Sequence, residues 1–145
     1  MPKVFFASDH AGFDLKKKLL AYVDELGYAA QDCGAYSFNS KDDYPDFVTP
    51  CAQEVALDQN SYGIIIGKSG EGEAMCANRV RGIRAAVFYG GSLEIIQLAR
   101  EHNNANILSL GAHLMTETEA RNATKKFLET PFSTSPRHIR RLSKF

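Results

Sequence analysis

The sequence predicts an α/β protein built around a parallel sheet of five strands. Five short apolar stretches alternate along the chain with segments whose apolar residues recur at helical spacing. This alternation is typical of strands that are joined by crossover helices and buried on both faces of the sheet. The chain has 145 residues, which suits one sizeable core, so we expect a single domain over residues 1–145.

The predicted strands are short runs, rich in apolar residues, between turn signals. They are Lys3–Ser8, Tyr28–Cys33, Ser61–Ile66, Arg84–Phe88 and Asn106–Leu110. The predicted helices are Phe13–Leu26, Asp46–Leu57, Glu73–Asn78, Ser92–His102 and Thr116–Leu128. Gly27 is a fitting stop for the first helix, and Thr116 with Glu119 has the spacing of a capping box at the last. Residues 131–145 form a basic tail.

Composition and charge argue against several classes of function. The chain has 17 Lys and Arg against 17 Asp and Glu, which gives no reason to expect nucleic acid or an anionic membrane as a partner. We find no apolar run near the length of a membrane span and no signal-peptide pattern at the start, so a cytoplasmic location is expected. The 3 cysteines lack metal-ligand spacing, and neither a disulfide framework nor a metal site is predicted.

The most informative stretch is Gly63–Arg79. A buried strand there runs into a loop with three glycines and then into the start of a helix. Such a loop lets the backbone approach a ligand. It is either a structural turn or an oxyanion site formed by the amides of Gly70–Ala74. Glu73 is either an ordinary acid in the first turn of a helix or a general base beside that site. In both cases the helix dipole is expected to lower its pKa.

Nucleotide-binding motifs fit this stretch poorly. A dinucleotide fingerprint needs glycine or alanine where Met75 stands, and an acidic residue after the next strand, where the sequence is Phe88-Tyr89-Gly90. A Walker loop needs Gly-Lys-Ser or Gly-Lys-Thr after the glycine loop, and none follows Glu73. Cys76 lies within the helix and is interpreted as a small buried residue rather than as a nucleophile.

Three further groups of polar residues are candidates for a site. Asp9 and His10 follow the first strand, and parallel α/β folds bind ligands at the carboxyl ends of their strands. His102 ends a helix, where a cation interacts favourably with the dipole, but it could also move protons between sugar oxygens. The arginines of the tail form either a solvated basic face or a phosphate clamp. They are Arg137, Arg140 and Arg141.

Five segments, in order from the first strand to the tail, match one known pattern. They are SDHAGFDLK (Ser8–Lys16), DYPDF (Asp43–Phe47), SGEGEAMCANRVRGIRAA (Ser69–Ala86), AREHNNANILSLGA (Ala99–Ala112) and PRHIRR (Pro136–Arg141). Together they resemble the ribose-5-phosphate isomerase type B family, which includes the galactose-6-phosphate isomerase subunits. The resemblance covers nearly the whole chain and is more specific than any single motif.

The resemblance implies a Rossmann-like three-layer α/β sandwich and a cofactor-free aldose–ketose isomerase. The implied reaction opens the ring of a sugar phosphate and moves a proton between C2 and C1 through a cis-enediolate. The family also implies a homodimer or tetramer whose active sites are shared between two subunits, with the tail at 131–145 reaching the partner. The expected substrate pair is ribose 5-phosphate and ribulose 5-phosphate.

The resemblance further implies a role for each matching residue. Many members have a catalytic cysteine directly after the third strand, where this chain has Gly67. A second branch has glycine there and a glutamate at the position of Glu73, and this chain resembles that branch. Glu73 is thus the implied base, with Ser69 handling protons on the substrate oxygens. His102, for ring opening, and Asp9 complete the catalytic set. The implied substrate-binding residues are His10, Tyr44, Gly70, Glu71, Gly72, Ala74, Asn103, His113, Arg137 and Arg141.

Two residues depart from the family pattern. Lys68 stands where small residues are usual, and His113 stands where an arginine commonly helps to hold the phosphate. His113 and the loop Ala35–Asp42 leave open a six-carbon substrate, allose 6-phosphate or galactose 6-phosphate. Outside the enzymes, the alternative is a phosphosugar-binding module that has lost its cysteine, and the retained Ser69, Glu73 and His102 argue against it.

Overall fold

The protein contains one sheet of five parallel strands. The computed structural model describes residues 1–145. Its strands are β1 (Lys3–Ser8), β2 (Ala29–Asp32), β3 (Ser61–Gly67), β4 (Ala85–Phe88) and β5 (Ile107–Gly111). They are arranged in the order β2-β1-β3-β5-β4. The prediction of an α/β fold with a five-stranded parallel sheet is confirmed.

Helices cover both faces of the sheet in a three-layer, Rossmann-like sandwich. They are α1 (Phe13–Glu25), α2 (Pro45–Leu57), α3 (Glu71–Ala77), α4 (Glu94–Glu101), α5 (Glu117–Glu129) and α6 (Pro136–Leu142). Helices α1, α4 and α5 pack on one face, and α2 and α3 pack on the other. Short 3₁₀ turns lie at His10–Gly12 and Ala112–Leu114. None of the helices combines the length and the apolar character that crossing a membrane requires.

The central strands are apolar throughout because both of their faces are covered. In β3, Ile64 and Ile66 lie in the core beneath α1 and α5, whereas Ile65 lies in the core beneath α2. Phe6 and Phe5 of β1 divide between the two cores in the same way. Successive side chains of a strand point to opposite faces, so a doubly covered strand needs an unbroken apolar run. The edge strand β2, by contrast, is largely exposed.

The structure shifts several predicted boundaries and adds one helix. Helix α3 begins at Glu71 rather than Glu73, and α4 begins at Glu94 rather than Ser92. The capping box at Thr116 is confirmed. The sequence pattern does not predict α6, whose 7 residues include the buried His138. A helix this short depends on tertiary packing rather than on its own propensity.

Candidate active site

The carboxyl ends of the central strands meet at one edge of the sheet, here called the carboxyl edge. The register sets Ser8 of β1 beside Ile66 of β3, and Gly67 of β3 beside Gly111 of β5. The strand order makes the boundary between β1 and β3 a switch point, because β2 lies on one side of it and β4 and β5 lie on the other. Ligands of parallel α/β folds bind at such points.

The loop after β3 is held against β5 by contacts that require glycine. Gly70, at the start of α3, has a φ of 84°, a backbone conformation that favours glycine. Its carbonyl accepts a hydrogen bond from the buried Ser109 hydroxyl at 2.6 Å. A Cβ atom on Gly111 would lie 2.5 Å from the Ser69 carbonyl oxygen, so the two backbones are in contact. The start of α3 is therefore fixed above the end of the sheet.

Glu73 projects from the first turn of α3 over the end of β3. The residue is 5% exposed, and its Oε2 atom is buried without a hydrogen-bond partner in the chain. A Cβ atom built on Gly67 would overlap all three atoms of the Glu73 carboxyl group. The carboxyl group thus occupies the space that any side chain at position 67 would take.

Burial raises the pKa of Glu73. The loss of solvent is the largest cause, the residue's own backbone N–H opposes the change, and the charge of Asp9 adds to it. The prediction that the helix start lowers this pKa is wrong. Helix α3 has only 7 residues, and the loss of water around the carboxylate outweighs its dipole. A higher pKa makes the ionised carboxylate a stronger base.

Some of the backbone amides at the start of α3 are already engaged within the chain. The Ala74 N–H donates to the Gly70 carbonyl at 3.1 Å, and the Glu71 N–H donates to the Ser69 hydroxyl oxygen at 3.2 Å. The N–H groups of Gly70 and Gly72 have no acceptor in the chain. Fewer amides can therefore bind a ligand than the predicted set of Gly70–Ala74, because the Ala74 and Glu71 N–H groups donate within the turn.

Asp9 and Tyr44 flank this loop. A Cβ atom on Gly72 would lie 2.8 Å from Tyr44 Cζ, so the tyrosine ring rests on that glycine. Asp9 is buried and accepts a hydrogen bond from the Ala11 N–H at 3.0 Å. Its charge contributes to the raised pKa of Glu73. The structure therefore brings Asp9, Tyr44 and Glu73 together at the carboxyl edge.

A buried lysine fixes the segment that leads to Tyr44. Lys16 of α1 is 0% exposed, and its Nζ atom donates to Asp32 Oδ1 at 2.8 Å and to the Ala35 carbonyl at 2.6 Å. The Ser8 N–H donates to the Gly34 carbonyl at 2.9 Å, and the Ala35 N–H donates to the Ser8 carbonyl at 2.8 Å. The chain after β2 is thereby attached to the end of β1.

His10 pairs with Asp42 from this same segment. The two side chains meet at 2.7 Å between His10 Nδ1 and Asp42 Oδ1. The hydrogen bond to Asp42 raises the pKa of His10, burial opposes it, and the charges of Asp9 and Asp42 add to it. Ligand atoms of Asp9, His10 and Asp42 lie within 4.8 Å of one another. Hydrogen bonds already engage this cluster, so its geometry fits a held proton better than a metal ion.

Four other predicted site residues lie at the opposite end of the strands, here called the amino edge. His102 caps the end of α4 just before β5 begins. Arg100, two residues earlier, donates to the Tyr62 hydroxyl, near the start of β3, at 3.0 Å. The 7 residues of β3 separate the two edges by roughly 20 Å. The four residues are His102, Asn103, Arg137 and Arg141.

His138 of α6 supports His102. The two rings stack with centroids 4.2 Å apart, and His138 Nδ1 lies 2.9 Å from the Ser133 hydroxyl oxygen. Burial lowers the pKa of His138, and the charges of His102, Arg137 and Arg141 lower it further. The supporting ring is therefore neutral at physiological pH.

A single chain therefore holds two separate sets of candidate residues. At the carboxyl edge it brings together Asp9, His10, Tyr44 and the loop 69–74. His113 lies there too, because its N–H donates to the Lys68 carbonyl at 3.1 Å. The single chain does not bring His102, Asn103, Arg137 or Arg141 to the residues of the carboxyl edge. Cys76 is half-buried rather than fully buried as predicted, and it packs against α2 with Sγ 3.3 Å from Thr49 Oγ1.

Three residues of the site escape the sequence interpretation. They are Asp42, Ser109 and His138. Asp42 lies 32 residues from His10 along the chain, and Ser109 lies 39 residues from Gly70. Ser109 and His138 lie within matching segments, and Asp42 lies directly before the matching DYPDF segment, but nothing local in these segments indicates the contacts that the three residues make.

The fold and the carboxyl edge define a Rossmann-like α/β protein that gathers ionisable side chains at a switch point. The Ribose/Galactose Isomerase family model matches residues 4–145, and the chain belongs to that family. A ribose-5-phosphate isomerase B of Mycolicibacterium paratuberculosis is 44% identical over 140 residues, which are 97% of this chain and 87% of the relative. One from Mycobacterium tuberculosis is 39% identical over 140 residues, covering 97% and 85%.

Solved structures resemble the whole chain. Ribose-5-phosphate isomerase B from Mycoplasma genitalium, with bound ribulose-5-phosphate, has a TM-score of 0.93 at 36% identity and covers 98% of this chain and 92% of its own. The ribose 5-phosphate isomerase of Thermotoga maritima has a TM-score of 0.90 at 40% identity, covering 99% and 96%.

Proposed function

We propose that the protein is an aldose–ketose isomerase that interconverts ribose 5-phosphate and ribulose 5-phosphate. Membership of the Ribose/Galactose Isomerase family supports the reaction class. Relatives at 44% and 39% identity are ribose-5-phosphate isomerases B, and a structural neighbour holds ribulose-5-phosphate. The reaction opens the sugar ring and moves a proton between C2 and C1 through a cis-enediolate, without a cofactor.

The observation that carries this proposal is the position of Glu73 over Gly67. The carboxyl group fills the space of the absent side chain at position 67, and its Oε2 atom has no partner in the chain. A side chain at 67 and a carboxylate from 73 could not share this space. We infer that the chain belongs to the branch of its family that uses a glutamate base in place of a cysteine. Glu73 is then the group that takes the proton from C2 and returns it at C1.

The neighbours of Glu73 suit the remaining steps. Negative charge on the enediolate oxygens would be met by the free N–H groups of Gly70 and Gly72, because amides already aimed at a site need no reorganisation. The Ser69 hydroxyl would pass a proton between O1 and O2. Asp9 and Tyr44 would hold the sugar hydroxyls beside the base.

The proposed reaction needs a second copy of the chain. The ring-opening His102 lies at the amino edge, roughly 20 Å from Glu73 of the same chain. We therefore propose a homodimer, alone or within a tetramer, in which the amino edge of one subunit meets the carboxyl edge of the other. The tail at 131–145, with α6, would reach the partner. Phosphate would lie between His10 and His113 of one subunit and Arg137 and Arg141 of the partner subunit.

Replacement of the base tests the proposal. Glu73→Gln keeps the shape of the side chain but removes its basic oxygen, so kcat for ribose 5-phosphate should fall by about 10²- to 10⁴-fold. Two variants serve as controls. Glu94→Gln makes the same change in the first turn of α4, and Cys76→Ala removes the only thiol near the loop. Both should keep kcat within about two-fold of the parent, since neither group belongs to the proposed chemistry. Near-normal turnover by a folded Glu73→Gln enzyme would overturn the assignment.

A six-carbon substrate is the second candidate, because His113 replaces the arginine common in the family and is exposed at the carboxyl edge. The ratio of kcat/KM for ribose 5-phosphate, allose 6-phosphate and galactose 6-phosphate decides between the two. Binding of all three without turnover would instead favour a non-catalytic module.

A further inference from the structure

Asp42 binds His10 through a single carboxylate oxygen. Oδ1 accepts the backbone N–H of His10 at 3.0 Å and lies 2.7 Å from Nδ1 of the same residue. The Asp42 side chain is 8% exposed, whereas that of His10 is 35% exposed. The second oxygen, Oδ2, is buried and has no partner in the chain. The interactions of Asp42 are thus concentrated on His10, and the outer part of the imidazole remains accessible.

This geometry determines which nitrogen of His10 carries a proton. An ionised carboxylate can only accept hydrogen bonds, and Oδ1 faces both the backbone N–H and Nδ1. Nδ1 must therefore be the protonated nitrogen of the neutral ring, which leaves a lone pair on Nε2. Nε2 becomes a donor only when the ring takes up a second proton. A phosphate oxygen can accept a hydrogen bond from Nε2 in the cationic ring, but it is repelled by the lone pair of the neutral ring.

The surroundings of His10 favour the cation. The hydrogen bond to Asp42 is the largest influence and raises the pKa of the ring. Burial lowers this pKa, and the charge of Asp9, just after β1, raises it. Phe38 meets the ring edge-on, with centroids 6.4 Å apart, and carries no charge. Lys68 and His113 are the basic residues of the same edge, and Arg137 and Arg141 of the partner subunit would face the same phosphate.

We propose that Asp42 is a positioning residue that fixes the His10 proton on Nδ1 and turns Nε2 into a phosphate donor that works only while the ring is cationic. This inference rests on the proposed function, in which His10 binds the substrate phosphate. Asp42 acts on the capture of substrate and not on the transfer of a proton between C1 and C2. Its removal should therefore raise KM and leave kcat nearly unchanged.

The pH dependence of KM follows from this arrangement. The raised pKa keeps His10 cationic above the ordinary range of histidine, which lies at about 6.5. KM of the parent enzyme should stay low through that range and rise as the pH passes the raised pKa. Without the charge of Asp42, the rise should begin near the ordinary value. The two enzymes should differ most at a pH between the ordinary and the raised pKa.

Asp42→Asn is the test, because it preserves the shape of the side chain and removes its charge. At pH about 7.5 we expect KM to increase roughly 10-fold, with kcat within about two-fold, and the difference to shrink at pH 6. Asp43→Asn is the matched control: the same change, one residue away, at an exposed acid. It should leave KM unchanged. Asp42→Glu, which restores a carboxylate, should recover part of the lost affinity.

Nuclear magnetic resonance of the free, full-length protein tests the proton directly. The chain has 4 histidines, so His10→Asn identifies the His10 signals. In the parent protein, ¹⁵N shifts of the neutral ring should show the Nδ1–H form, and the ring should titrate above its position in Asp42→Asn. Added inorganic phosphate should shift the Nε2 resonance of the cation. A neutral ring in the Nε2–H form would overturn the proposal even if Asp42→Asn failed to fold.

A double-variant comparison separates this role from a merely structural one. In a His10→Asn background, Asp42→Asn should have no further effect on KM, because its only route to phosphate is gone. An equal loss in both backgrounds would show that Asp42 acts through the loop instead, and the proposal would fail.

Failure of this proposal can be distinguished from failure of the proposed function. An inactive protein whose His10 still titrates high and responds to phosphate would keep the role of Asp42 and remove only the isomerase activity.

Discussion

The two edges of the sheet carry different sets of ionisable groups. The carboxyl edge holds a buried carboxylate, Glu73, and the free amides of a glycine loop. The amino edge holds imidazole and guanidinium groups on α4 and α6, and Arg137 and Arg141 are exposed. Burial opposes charge at both edges, since it raises the pKa of Glu73 and lowers that of His138. The carboxyl edge thus supplies the proposed base, whereas the amino edge supplies the proposed ring-opening imidazole and two of the cations proposed to hold the phosphate.

This separation explains why neither edge is a complete site. The proposed reaction needs Glu73 together with His102 and the arginines of the tail, and one chain keeps Glu73 roughly 20 Å from the other groups along β3. A two-fold pair of subunits can bring opposite edges together, and each contact then occurs twice. The difference between the edges is therefore the physical basis for the shared site that we propose.

The largest expected effect is the rescue of one inactive variant by another. Glu73→Gln and His102→Asn should each be nearly inactive alone. In a mixed dimer, one of the two sites receives an unaltered Glu73 from one chain and an unaltered His102 from the other, whereas the second site carries both substitutions. Because random pairing makes about half of the dimers mixed, coexpression should restore about a quarter of all sites. Activity of the purified mixture, with heterodimers counted by native mass spectrometry, measures this recovery.

The control for rescue combines two variants of the same edge. When the Glu73→Gln chain is coexpressed with an Asp9→Asn chain, every site of a mixed dimer keeps one altered residue, because both positions lie at the carboxyl edge of the same chain. No activity should return. If the first pair also stayed inactive while heterodimers were abundant, both edges would have to serve a site within a single chain.

The next effect concerns the space shared by positions 67 and 73. Gly67 is not among the glycines with positive φ, so Gly67→Ala introduces no backbone strain, but its Cβ atom would overlap the Glu73 carboxyl group. We expect kcat to fall by about 10²-fold as the base is displaced. Overpacking should lower the free energy of unfolding by about 1–3 kcal/mol, measured by urea denaturation.

A double-variant cycle shows whether the carboxyl group is the cause. With Glu73→Ala in the background, Gly67→Ala should cost almost no stability, because the space is empty. Gly63→Ala, on the same strand, would contact Ile107 at 2.9 Å, and its cost should persist in both backgrounds. Equal losses for Gly67→Ala in the two backgrounds would count against the shared space.

The smallest effect is expected at the amino edge. Arg141→Lys keeps the charge but loses the bidentate fork that matches phosphate, so KM should rise about 5- to 10-fold with kcat almost unchanged. Arg140→Lys, the neighbouring change on α6, should have little effect. Initial rates over a range of ribose 5-phosphate concentrations measure both. A loss confined to kcat would place Arg141 at the proton transfer rather than at the phosphate.

Much of the fold could be predicted because its signals are local. The run Ile64–Ile66 indicates a strand buried on both faces, and the structure divides its side chains between two cores. Thr116 and Glu119 indicate a helix start through hydrogen bonds that span three residues. The α6 helix has a local start signal in Pro136, but 7 residues are too few to indicate a stable helix. Its contact with His102, 36 positions away from His138, exists only in the folded chain.

The candidate site divides in the same way. The glycine loop and Glu73 are adjacent in sequence, so their association could be predicted, although the roles assigned to them remain predictions. The direction of the Glu73 pKa shift was predicted wrongly. Local sequence shows that Glu73 lies at a helix start, but it does not show the burial whose effect on the pKa outweighs that of the helix dipole. The pairing of His10 with Asp42 joins two loops 32 residues apart, and no local pattern encodes it.

The sequence by itself determined the five strands, the crossover helices, the position of the glycine loop and the family to which the motifs belong. Each depends on periodicity or on residues that are neighbours in the chain. Only the tertiary structure decided that Glu73 fills the space above Gly67, that Asp42 pairs with His10, and that His102 lies at the far edge from Glu73. These properties depend on burial and on distances between segments, which exist only once the sheet has brought its strands together.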